Sequence, residues 1–120
     1  MTFKPSDVDA LLPLQPAAFH ILLALSAGDL HGYGIITDVQ ARTSGALRLS
    51  PGTLYRTVQR LLEDGLIEEP RTPSGPVGDP RRRYYRITPF GGAAVRAETR
   101  RLTDLVRLAN STLRTVTEPS

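Results

Sequence analysis

The stretch SPGTLYRTVQRLLEDG, residues 50–65, constrains the fold more than any other part of the chain. Ser50 offers a side-chain oxygen to the unpaired N–H groups of a first helical turn. Pro51 already has the φ that a first helical position requires, and Gly65 is a natural terminator. Between them Leu54, Val58, Leu61 and Leu62 recur at i, i+4, i+7 and i+8, which is one face of a helix. The other face carries Gly52, Thr53, Arg56, Gln59, Arg60 and, at the far end, Glu63. The spacing predicts a helix with one buried side and one polar, cationic side.

Two shorter helices precede it. PAAFHILLALSAG begins with Pro16 in a good first-turn position and ends at Gly28. Ala18, Ile21, Leu22 and Leu25 form one stripe, while Phe19 and Leu23 put apolar surface on another side, so this helix needs two burial partners. HGYGIITDVQARTSG predicts a second helix from about Gly32 to Thr43 with Ile35, Ile36 and Val39 inward. Two glycines in its first turn are costly, and they make sense where another backbone or a phosphate comes close. ALRLS, 46–50, is read as a very short strand. The first fifteen residues, broken by Pro5 and Pro13, are read as a partly ordered extension in which Ser6 caps one helical turn.

After residue 65 the pattern changes. LIEEP predicts a strand, RTPSGPVGDP a loop, and RRRYYRI a second strand, together a β-hairpin. With Ile87 facing the core, period-2 alternation puts Tyr85 and Arg83 inward and Arg82, Tyr84 and Arg86 outward. The basic residues of the middle third (Arg56, Arg60, Arg71, Arg81, Arg82, Arg83 and Arg86) are separated along the chain from the acids Glu63, Asp64, Glu68 and Glu69. Such segregation makes a basic face despite a formal net charge of only +3. Taken alone, the arginine run is equally a solvated strand. Thr88-Pro89 opens a last helix that runs to about Val116.

Helix, helix, short strand, polar-faced helix and basic hairpin is the order of a winged helix-turn-helix. The expected fold is therefore mainly α with a small β-hairpin. It comprises an N-terminal extension (1–15), a winged helix-turn-helix (16–88), a C-terminal dimerisation helix (89–116) and a disordered tail (117–120). In such a fold the third helix enters the major groove, where Arg reads guanine and Gln reads adenine. Wing arginines neutralise phosphates without reading sequence. The wing tyrosines anchor the hairpin or donate hydroxyls to phosphate. The acids at Glu63 and Asp64 place the helix's C-terminal end away from phosphate, so its N-terminal half makes the contacts. The candidate DNA-binding residues are Tyr33, Ser50, Gly52, Thr53, Tyr55, Arg56, Gln59 and Arg60, with Arg71, Arg81, Arg82, Arg83 and Tyr84 on the wing.

HGYGI at 31–35, SPGTLYRTVQRLLEDGLIE at 50–68 and GDPRRRYYRITPFGG at 78–92 resemble three motifs of the PadR family of transcriptional regulators. They occur in the same order as in that family. The resemblance spans roughly residues 16–92. It implies DNA contacts by Tyr33, Thr53, Tyr55 and the wing basics, a dimer built through the C-terminal helix, and repression. It further implies release from DNA by a small hydrophobic or aromatic effector held between subunits. Many members have proline after the Leu-Tyr pair, where this chain has Arg56, and acids where Pro89-Phe90 stand. Compact members that bind planar drugs use a tryptophan, and this chain has none.

The dimer expectation also rests on periodicity. Leu102, Val106, Ala109, Leu113 and Val116 are spaced 4, 3, 4 and 3, Val95 lies one heptad earlier, and Leu105 widens the stripe. Phe19 and Leu23 are the second surface that such a seam would cover. A two-fold dimer demands a palindromic operator. The alternative for the stripe is folding back on its own domain. The alternative for the chain as a whole is a winged helix used only for protein–protein contact, and the polar outer face of 50–65 argues against that. Catalytic, metal and cofactor chemistry find no support in the sequence. Cysteine is absent, His20 and His31 lack metal-ligand spacing, and SGPVGDP has no phosphate-loop lysine. The longest apolar run is too short to span a bilayer, which makes a cytoplasmic location the expectation.

Overall fold

The computed structural model describes residues 3–73 and 82–116. Three helices build the centre: α2 (Pro16–Leu25), α3 (Gly32–Arg42) and α4 (Pro51–Glu63), preceded by the short α1 (Pro5–Asp9). They bury the faces that their periodicity marks out. Ile21, Leu22 and Leu25 of α2 meet Ile35 and Val39 of α3 and Leu54, Val58 and Leu61 of α4 in one core. Each large aliphatic side chain removed from water there contributes about 1.5–3 kcal/mol. Ser50 caps α4 as its sequence predicts, its Oγ accepting from the Thr53 N–H at 3.1 Å. Gly65 follows the helix with a φ of +74°, a conformation that L side chains rarely adopt.

The sheet is antiparallel, three-stranded and ordered β1-β3-β2, with β1 at Leu30–His31, β2 at Ile67–Glu68 and β3 at Tyr84–Ile87. The hairpin of β2 and β3 forms as expected, with Ile67 opposite Ile87 and Glu68 opposite Arg86. The third strand is not where the sequence placed it. Residues 46–50 form no strand; Leu47 and Leu49 pack on the core from an irregular segment, and the pairing is made instead by Leu30 and His31.

That change corrects the wing's alternation. β3 is the central strand, so its side chains are covered on more than one side. Tyr85 is buried, and so is Tyr84, at 8% exposure, with the His31 ring edge-on to it at 5.4 Å. Tyr84 therefore does not point outward as expected. Arg83, expected inward, is exposed. Arg81 lies outside the described residues.

The last helix, α5 (Pro89–Leu113), is bolted to the start of the wing. Thr88 donates its N–H to the Leu66 carbonyl at 3.1 Å and its hydroxyl to the Gly65 carbonyl at 2.7 Å, while its Oγ1 caps the Gly91 N–H. At Gly91 a Cβ would stand 2.0 Å from the Leu66 carbonyl oxygen, so only glycine permits this approach. The N-terminal extension is more ordered than expected. Lys4, not Ser6, precedes the first helical residue, its N–H bonded to the Asp7 carboxylate at 2.9 Å. Val8 is buried, and the Phe3 and Phe90 rings lie 5.2 Å apart.

Candidate nucleic-acid interface

One surface collects most of the residues singled out above. On α4, Gly52, Tyr55, Arg56, Gln59 and Arg60 are exposed, opposite the buried row of Leu54, Val58 and Leu61. Thr53 is half-buried, bonded to Ser50 through both its backbone N–H and its hydroxyl. Gln59 is steadied within the helix, donating from Nε2 to Glu63 at 3.2 Å. Tyr33, in the first turn of α3, is 69% exposed and Tyr55 is 55% exposed. Two large rings held in water beside arginines are unusual in a fold that buries its other tyrosines.

The glycines of α3 explain how these helices meet. A Cβ at Gly32 would come within 2.7 Å of the Tyr55 hydroxyl and 3.2 Å of Leu54 Cδ2. Gly32 therefore lets α4 approach the start of α3, which makes the close neighbour another helix. His31 caps α3, Nδ1 accepting the Gly34 N–H at 3.0 Å. Its pKa is lowered, first by burial and then by the nearby Arg82 charge, which keeps the imidazole neutral.

The wing cations divide into two kinds. Arg83 makes a bidentate pair with Glu69 at 2.7 and 2.9 Å, and Arg86 one with Asp29 at 3.1 and 2.8 Å. The Arg83 bonds hold the Glu69 carboxyl below its ordinary range. These arginines stitch β3 to its neighbours, a role the sequence reading missed. For Arg83 the signal was there in the acids of IEEP, which hairpin pairing sets beside the arginine strand. Arg56, Arg60, Arg71 and Arg82 have no ion-pair partner among the described residues. Arg82 Nη1 does lie 2.7 Å from His31 Nε2. With Nδ1 accepting, a neutral imidazole carries its proton on Nε2, facing a guanidinium that can only donate. That contact does not hold Arg82 in place. Arg82, Tyr33 and Tyr55 line a cleft of about 240 Å³ where the wing meets α3 and α4.

Residues 21–97 match the transcriptional regulator PadR-like family. Transcriptional regulator Rv3488 of Mycobacterium tuberculosis is 38% identical over 89 residues, 73% of this chain and 77% of that one. The chain belongs to the PadR-like family. Its members are transcriptional regulators, not enzymes, and this PadR-like chain has their winged-helix fold. A PadR family regulator from Clostridium difficile superposes with a TM-score of 0.68 at 24% identity, covering 82% of this chain and 99% of that one. A PadR-like regulator from Bacillus cereus gives 0.67 at 22% identity, with 94% and 99% covered. Among the described residues no helix is long and apolar enough to cross a membrane, and no cluster of side chains could hold a metal ion.

The dimer candidates are dispersed. Leu105, Val106, Ala109, Leu113 and Val116 are exposed on α5 or just past it, while Leu102 is half-buried. Phe19 and Leu23 are half-buried, Phe19 beside Leu102 and Val106 in a groove of about 330 Å³. Val95 does not belong with them. It is 6% exposed and packs in its own domain's core, because the first turns of α5 lie on α2 and β3.

Proposed function

We propose that this regulator binds double-stranded DNA as a two-fold homodimer, each α4 reading one half of a palindromic operator. Repression, relieved by a small hydrophobic or aromatic effector, is the regulatory mode that the family resemblance adds. The observation that carries the reading is the outer face of α4. Arg56 and Gln59 are exposed on a capped, well-packed helix, the first with no ion-pair partner among the described residues. They are side-chain types that form bidentate bonds to guanine and adenine. Tyr33, Tyr55, Ser50, Gly52 and Thr53 flank them, suited to phosphate and sugar contacts that set register. In a gel-shift titration against the gene's own promoter region, Arg56→Ala or Gln59→Ala is expected to cost about 1–3 kcal/mol and relax preference at one base pair per half-site. Native binding of both operator and scrambled duplex by both variants would refute the assignment of α4.

The wing is proposed to hold phosphate through Arg82 and Arg71, with Arg83 occupied by Glu69. Arg82→Ala should make the slope of log K against log salt shallower by roughly 1 per lost contact. Arg83→Ala should change the slope less than Arg82→Ala does. Equal slopes for both variants and the native chain would make the arginine run a solvated strand.

A further inference from the structure

A cavity of about 440 Å³ lies between the N-terminal segment and α4, away from the α5 residues proposed for the dimer seam. Leu11, Leu14, Ala18, Leu61 and Leu66 supply its apolar part. Arg56, Arg60 and Asp64 stand on the α4 side. Neither arginine has an ion-pair partner among the described residues, so the single carboxylate leaves that side cationic. Its volume falls within the usual range for small-molecule sites, which pair an apolar lining with a few placed polar groups. The segment forming its outer wall is held in place, since Leu11 and Leu14 pack against the core and α1 rests on α5. A second cavity, lined by Leu23, Val95, Arg96 and Arg100, combines similar chemistry but includes the Leu23 surface proposed for the dimer.

We propose that the cavity beneath the N-terminal segment binds a small amphiphile bearing one anionic group, of the medium-chain carboxylate class. Its chain lies on the leucines and its carboxylate meets Arg56 and Arg60. One negative charge suits the site better than two, because Asp64 shares the same wall. Occupancy draws onto the ligand Arg56, which α4 needs for bases, so ligand and DNA weaken each other's binding by the same factor. This coupling rests on the proposed DNA-reading role of α4; the binding site itself does not.

The test is a titration of the full-length protein with sodium octanoate below its micellar range and at constant ionic strength, followed by amide NMR. Saturable shifts are expected at Leu14, Ala18, Thr57 and Leu61. Arg60→Gln should weaken octanoate at least fivefold, and Ala18→Leu should remove the shifts by filling the cavity. Octanol should bind more weakly than octanoate. Shifts confined to Leu23, Val95 and Arg96, non-saturating shifts, or equal affinity for octanol and octanoate would overturn the site as proposed. Should Ala18→Leu fail to fold, the shift map and Arg60→Gln still decide. In a parallel gel shift, saturating octanoate should weaken operator binding at least fivefold. Saturable binding at the cavity with unchanged operator affinity would overturn the coupling. Octanoate binding by a chain that binds no duplex would leave the site standing while the proposed function failed.

Discussion

The two halves of α5 carry the same kind of apolar spacing and meet opposite fates. In the first half Gly91, Ala94, Val95, Ala97 and Glu98 are buried by the chain's own α1, α2 and wing. In the second, Leu108 is 63% and Leu113 59% exposed, and Leu105 and Val106 are equally bare of cover from their own chain. Helical periodicity says that a face is to be buried and is silent about what buries it. A stripe of this kind left in water on a long helix marks a protein contact, and a second copy of α5 with the Phe19 groove is the cover proposed here.

Removing the second half tests that difference most strongly. A chain ending at Arg101 keeps every buried residue of α5 and should still unfold cooperatively, but as a monomer. Its operator affinity should fall about a thousandfold or more, toward the non-specific level. Light scattering and gel shift read both effects. A full-length chain that is already monomeric at tens of micromolar would break the comparison outright.

A paired substitution is the next test. Val95→Ala should cost about 1–3 kcal/mol of domain stability through lost burial and a residual cavity. Val106→Ala should leave the monomer within about 0.5 kcal/mol of native while raising the dimer dissociation constant. Urea unfolding of chain diluted below that constant separates the two, and equal losses would show that both halves pack on their own domain.

The smallest effect concerns Glu98, a charged residue buried on α5. Bonds from Arg101 at 2.6 and 2.9 Å lower its pKa against the opposing effect of burial, and the Arg101 charge and the Leu14 N–H add to the lowering. Its unfolded value is 4.5. The stabilisation is thus complete above that pH and is lost as acid carries the solution down through the lower folded value. Glu98→Gln should flatten the pH dependence of the urea midpoint over that window, and an unchanged profile would remove Glu98 from the account.

What could be read in advance follows from where each signal resides. α4 was legible almost to the residue, since cap, first-turn proline, apolar row and terminal glycine are all local. β1 was not, because a two-residue strand has no periodicity of its own and exists only by pairing with Tyr84 and Tyr85. The burial of Tyr84 and the ion pair of Arg86 with Asp29 depend on that same pairing, so one missed strand displaced two expectations. Val95 was misassigned for a different reason. A heptad pattern runs through it without interruption, and only the docking of the first turns on α2 and β3 separates core from seam.

The contact of Gly91 with Leu66 also has a mechanical meaning. A helix of 25 residues is about 37 Å long. With its first turn pressed on the Leu66 carbonyl and fastened through Thr88, it cannot pivot there without carrying the start of the wing with it. A pivot of about 5° at that contact moves the distal end by about 3 Å at this length. The glycine is thus the fulcrum of a lever with its short arm at the wing and its long arm at the surface proposed for the partner.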